Sequence, residues 1–187
     1  MNSFPAVALT SFLIGGSVLA GSAAPALVTG TIAAPHQSDR HDDAGRAQQN
    51  KQLIHAWVQL WNGDYTLAKR IISPDVRVRA ALLDGGDGST VKGPAGMVDL
   101  IGQIRAAFPD LRFTVEVGPI IDDDHAVVRW VANGTYGGGF PGATAAIGTK
   151  VRFTGTDTLR VRRGLITDYW LNADTLLLIT QLKVTPA

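Results

Sequence analysis

The 187-residue chain has no cysteine. Disulfides, thiolate nucleophiles, iron–sulfur ligation and sulfur-ligated zinc are therefore excluded. Charge of one sign is missing too: 17 Lys+Arg balance 16 Asp+Glu, for a net charge of +1. Nucleic acid, acidic membranes and acidic proteins are recognised by clustered charge, so none of them is an expected partner. Beyond residue 48 the only serines are Ser73 and Ser89. Neither lies in a nucleophile elbow, which argues against serine hydrolysis.

The longest gap is at the start, where Met1 to Ser38 holds no Lys, Arg, Asp or Glu. Within it, Val7–Ala20 has the length of a signal-peptide apolar core. Small-residue sites that suit signal peptidase follow at Gly21-Ser22-Ala23 and Ala24-Pro25-Ala26. Residues 1–34 are read as a signal peptide, which makes the protein periplasmic or secreted and free of the membrane after cleavage. No basic residue precedes the run, and an uncleaved anchor and a disordered apolar tail are the alternatives. Residues 35–47 read as a polar linker in which His36 and His41 are solvated, and 48–187 as one domain.

In that domain Leu53, Ile54, Trp57, Val58 and Trp61 recur at helical spacing up to Asn62-Gly63. A short helix is expected from Asp64 to Ile72, broken by Ser73-Pro74-Asp75 before a strand Val76–Ala80. Gly93-Pro94 opens a third helix through Met97, Leu100, Ile101, Ile104, Ala107 and Phe108. From Leu111 the period becomes two, with Leu111, Phe113, Val115 and Val117 on one face. Strands follow over Ala126–Tyr136, Val151–Arg162 and Leu165–Asn172, and Asp174 begins a last helix. Helices first and a largely antiparallel curved sheet after them define an α+β class.

In the strand Val151–Val161 one face carries Val151, Phe153, Gly155, Asp157, Leu159 and Val161. Asp157 is its only polar member. A carboxylate there is either paired or has a raised pKa. A three-residue hairpin loop ending in Gly164 predicts Val161 opposite Leu165 and Asp157 opposite Tyr169. Asp157, Tyr169, Tyr136 and Trp130 then share one apolar concavity, whereas a one-residue slip would turn Tyr169 outward and Trp170 inward.

Seven segments carry a further signal: Trp61-Asn62-Gly63-Asp64, Arg105 to Arg112, Val128-Arg129-Trp130, Gly134-Thr135, Gly139-Phe140-Pro141-Gly142, Val151-x-Phe153-x-Gly155-x-Asp157, and Trp170-x-x-x-Asp174 followed by Gln181-Leu182. In that order, over about residues 48 to 183, the chain resembles the SnoaL-like polyketide cyclase (ester cyclase) family. The resemblance implies the cone-shaped nuclear transport factor 2-like (cystatin-like) fold, with N-terminal helices closing a curved sheet around a deep apolar pocket. It implies an aldol ring closure by an aspartate acid/base, without metal or cofactor. The family's aspartate falls at Leu171 and its pocket histidine at Asp157, so the carboxylate stands on the other strand of the hairpin. Tyr136 stands where many relatives carry histidine. The outer sheet face, with Trp170, Arg129 and Arg160, is where the superfamily often seats a second subunit, so a homodimer is expected.

Asp157, Tyr169 and Asp174 are the candidate catalytic residues. Asp157 suits enolisation, isomerisation, dehydration or aldol chemistry, and the tyrosine hydroxyls suit donation to an enolate oxygen. The bland alternatives are a structural carboxylate bonded to Tyr169 or an Arg, and Asp174 as a helix N-cap. The expected pocket takes in Trp57, Trp61, Phe108, Phe113, Trp130, Tyr136, Phe140, Phe153 and Leu171, and its partner is a small hydrophobic molecule. A non-catalytic ligand-binding or dimerisation module and an epoxide or ester hydrolase are the alternatives. His55 and His125 read as structural or solvated. Gly137 to Gly142 matches a dinucleotide glycine pattern without a helix to hold a pyrophosphate, and reads as a pocket lip. Asp84 to Gly88 hints at calcium but lacks the bidentate glutamate, Ala95 standing in its place. Asn133-Gly134-Thr135 is a formal glycosylation acceptor that falls in a strand.

Overall fold

The computed structural model describes residues 37–82 and 85–184. The chain divides into units 1–34 and 35–187, and every described residue belongs to the second. The expected signal peptide lies outside the described residues. Helix α1 (Gln37–Trp61) takes in residues 37–47, the stretch read as linker. That stretch has no proline to break a helix that continues into the apolar-periodic part of α1. The helix stops at Gly63, whose φ of 104° is open to glycine and strained for other residues. Among the described residues no helix is long and apolar enough to cross a membrane.

A 3-10 turn (Tyr65–Leu67) and α2 (Ala68–Ile71) lead into β1 (Ile72–Arg79). After α3 (Gly93–Ala107) come β2 (Arg112–Asp122), β3 (His125–Thr135), β4 (Lys150–Arg162), β5 (Leu165–Ala173) and α4 (Thr175–Gln181). The five strands form an open, curved sheet in the order β1-β5-β4-β3-β2. All neighbours are antiparallel except β1 and β5. The expected break at Ser73-Pro74-Asp75 is instead part of β1, where the register with β5 shifts between Ile72 and Arg77. A proline is tolerated there because β1 is an edge strand. The opposite edge strand, β2, shifts register twice, after Val115 and after Val117, and these two valines are exposed although they alternate in phase with the buried Leu111 and Phe113.

The β4–β5 hairpin corrects the expected register. Its turn is two residues long, Arg163 and Gly164, with φ of 52° and 74°, so Arg162 pairs with Leu165. Two positive φ angles fit a primed turn, whose twist matches the flanking strands. A bulge then inserts Thr167 between the pairs Val161–Ile166 and Arg160–Asp168. Asp157 consequently faces Leu171, and Tyr169 faces Leu159. The turn and the bulge each displace the register by one residue. Their sum is two, so Tyr169 still points to the inner face.

Two side-chain amides fasten helix ends to strands. Asn62 Nδ2 donates to the Phe113 carbonyl (3.0 Å) and accepts the Phe113 N–H on Oδ1 (2.8 Å). Gln181 does the same for Arg152, at 2.9 and 2.8 Å. Each amide replaces a missing strand neighbour, so the N–H and C=O of Phe113 and of Arg152 are paired. Arg105 Nη1 donates to the carbonyls of Trp61 (3.2 Å) and Leu111 (2.6 Å), which closes the end of α1 against the α3–β2 turn. The core between helices and sheet includes Ile54, Trp57, Leu60, Met97, Ile101, Val128, Leu159 and Ile166.

Candidate active site

Asp157 lies mid-strand in β4, flanked by Val128 on β3 and Leu171 on β5, and is only 4% exposed. Trp57, from α1, donates its indole N–H to Oδ2 at 2.8 Å. The Tyr169 hydroxyl donates to Oδ1 at 3.1 Å. The rings of Trp57 and Tyr169 meet edge to face at 4.8 Å, which holds both donors in place. Among the described residues no Lys, Arg or His forms an ion pair with Asp157. Burial therefore dominates and pushes the Asp157 carboxyl up to about 6, while the donors Trp57, Trp130 and Tyr169 pull it back down. Burial, and next the charge of Asp157, hold the Tyr169 hydroxyl well above the usual tyrosine range.

A cavity of about 580 Å³ opens against this pair. Its walls include Trp61, Phe108, Phe113, Trp130, Phe140, Phe153 and Leu171, with Asp157 and Tyr169 on one side. Trp57 does not line it, because its indole packs behind Asp157 and Tyr169 with 1% exposure. Tyr136 does not line it either: its N–H donates to the Thr149 carbonyl and its ring packs on Phe108. Asp174 is exposed outside the cavity at the start of α4. Its carboxylate caps no helix N–H and instead accepts from the Thr154 hydroxyl at 2.9 Å.

Several lining residues were not anticipated: Leu82, Leu100, Gln103, Ile104, Thr175 and Leu178. The signal for two of them was present in α3, where Leu100 and Ile104 belong to the same apolar stripe as Met97 and Ile101, the latter pair filling the core and the former reaching the cavity. Gly139, Phe140 and Pro141 form part of the wall, which makes the glycine-rich loop a lip of the cavity. The Trp61 indole N–H is unusual. Among the described residues it is the one buried side-chain nitrogen or oxygen without a hydrogen-bond partner. Such an orphan costs about 1–3 kcal/mol and calls for a reason.

The remaining candidates stand away from the cavity. His55 lies exposed near Gln59, and His125 pairs with Asp124 at 2.8 Å and accepts from Arg160 Nε at 3.1 Å. On the outer sheet face Trp170 lies between the guanidinium groups of Arg79 (4.8 Å) and Arg160 (5.9 Å). No group of three or more His, Asp or Glu that could hold a metal occurs among the described residues.

An open, curved sheet closed by helices over an apolar cavity is the arrangement of the nuclear transport factor 2-like fold. Within that fold the chain belongs to the SnoaL-like polyketide cyclase family, whose sequence profile matches residues 51–182. Its structure is similar to that of TsrD from Streptomyces laurentii, at 22% identity and a TM-score of 0.63 over 74% of this chain and 97% of that one. A candidate polyketide cyclase from Acidithiobacillus ferrooxidans is similar at 22% identity and a TM-score of 0.63, over 72% and 94% of the two chains. IdmH from Streptomyces antibioticus, also a candidate polyketide cyclase, is similar at 24% identity and a TM-score of 0.61, over 72% and 98%. No curated protein matches the sequence.

Proposed function

We propose that the protein is an acid/base enzyme acting without a cofactor on a small hydrophobic carbonyl compound, by aldol cyclisation, isomerisation or dehydration. One observation carries this reading: a carboxylate with no cationic partner sits in the wall of an apolar cavity and titrates at about 6. Near neutral pH such a group is ionised, so it serves as the base, and its conjugate acid remains accessible to return the proton. Asp157 takes a proton from the carbon next to the carbonyl, and the bonding pair moves to the oxygen as an enolate. The enolate then attacks a second carbonyl, is reprotonated elsewhere or expels a leaving group. A carboxylate offers about four lone-pair sites, so the bonds from Trp57 and Tyr169 leave room for that proton.

Deuterium exchange into β-tetralone tests the proton transfer directly. The full chain in deuterium oxide should catalyse exchange of the acidic ring hydrogens, with a rate that rises with pH through about 6 and then levels. Asp157→Asn should lose at least about 100-fold of that rate. Unchanged exchange in the folded variant would sink the reading.

A second reading has its own observation. Both oxygens of Asp157 already receive donors from the protein, as a structural carboxylate's would. In that case the chain is a hydrophobic-ligand-binding module, and β-tetralone binds saturably with no exchange above the uncatalysed rate.

A further inference from the structure

The cavity presents its polar groups unevenly. Asp157 and Tyr169 are engaged with each other and with Trp57. Gln103 and Thr175 are the other lining residues with side-chain amide or hydroxyl groups, and Gln103 is exposed. Among the described residues no Lys, Arg or His lines the cavity. A carboxylate or phosphate on the ligand would therefore enter with no counter-charge, which disfavours an anionic ligand. A neutral acceptor faces no such penalty.

One donor is left over. Trp57 and Trp61 are one turn apart on α1 and project from the same face, as residues four apart do. Their rings meet edge to face at 6.0 Å. The Trp57 N–H is spent on Asp157, whereas the Trp61 N–H, in a residue 95% buried, has no acceptor among the described residues. Trp61 also lines the cavity, which Trp57 does not, and its ring lies 6.3 Å from that of Tyr169. Buried donors are almost always paired, and a cavity ligand is the acceptor that the protein itself lacks.

The geometry points to Trp61 as the substrate-binding donor that receives the ligand's neutral carbonyl oxygen through its indole N–H, and so selects ketones and esters over hydrocarbons and anions. This rests on the acid/base reading in taking the ligand to be a carbonyl compound. The pairing also supplies what proton removal needs. As the proton leaves for Asp157, charge grows on the carbonyl oxygen, and a donor held in a dry site strengthens its bond to that oxygen. Tyr169 keeps its hydroxyl on Asp157 throughout.

The chain's four tryptophans give four indole N–H signals in a nitrogen-15-labelled sample of the full chain. Trp61→Phe identifies the signal of Trp61, and through-bond assignment of the wild type does so if that variant does not fold. Adding β-tetralone should move the Trp61 signal downfield as its hydrogen bond forms, while tetralin, the hydrocarbon of the same shape, leaves it near its starting position. In Trp61→Phe the affinity for β-tetralone should fall roughly three- to ten-fold, the worth of one neutral hydrogen bond, with tetralin affected about two-fold or less. A Trp61 signal that stays still at saturating β-tetralone, that moves equally with tetralin, or a chain that binds neither probe overturns the assignment. Asp157→Asn separates the two claims. If exchange survives in it while the Trp61 signal still responds, the acid/base reading falls and the Trp61 assignment stands. If exchange is lost and the Trp61 signal never responds, the reverse holds.

Discussion

At the scale of the single residue, Asp157 sets a pH dependence of stability with a definite sign. Its carboxyl titrates at 3.8 when solvated and at about 6 in the fold, so between these values the folded chain holds a proton that the unfolded chain has released. Stability is therefore greatest below the unfolded value and falls as pH rises through the folded one, by up to about 3 kcal/mol from this group. Asp157→Asn cannot ionise and lacks this slope. Urea unfolding at about pH 4.5 and about pH 8 should show the variant gaining about 2 kcal/mol on the wild type between the two conditions. Parallel behaviour would mean that the carboxylate is solvated in the native state. That Asp157 is buried was legible from its place among Val151, Phe153, Leu159 and Val161. Tyr169 was legible as its neighbour, though placed directly opposite where the structure sets it diagonal, and the indole N–H 100 residues away was not legible at all.

At the scale of the element, β4 owes its cavity face to a glycine. Gly155 pairs with Trp130 of β3, and the indole lies over the space that a side chain would fill. A Cβ at Gly155 would run into the Trp130 ring and sit 2.8 Å from the Asn172 carbonyl, which belongs to the backbone and cannot yield. Gly155→Ala should cost about 1–3 kcal/mol in thermal unfolding and push Trp130 into the cavity, weakening tetralin binding. A variant with wild-type stability and affinity would show that the ring has another place to go. The extents of α3, β3, β4 and β5 were readable to within a residue or two, because periods of 3.6 and two are local properties. The register of the β4–β5 hairpin was not, because a loop of two residues with a bulge and a loop of three use the same Arg-Arg-Gly. Sidedness survived the difference since the two offsets summed to an even number.

At the scale of the whole molecule, the outer face of the sheet displays Trp170 between Arg79 and Arg160 beside the ion pairs of Asp168 with Arg77 (2.7 Å) and Arg79 (3.2 Å). A homodimer through this face is our proposal. Light scattering should give twice the chain mass, and Trp170→Asp should return it to the monomer with the inner cavity's affinity for tetralin unchanged. A wild-type monomer at high concentration would refute it. The order of helices and strands, the α+β class and the inward aim of Asp157 were determined by the sequence alone, since each follows from apolar periodicity along a few neighbouring residues, whereas the inward aim of Tyr169 also needed the turn and the bulge to offset each other. Tertiary structure alone decided which indole binds Asp157, which indole is left unpaired, and that Trp57, Tyr136 and Asp174 stand off the cavity. Those outcomes depend on how α1 and the 137–149 loop settle on the sheet, and such docking is a balance of contacts between distant segments that no local pattern records.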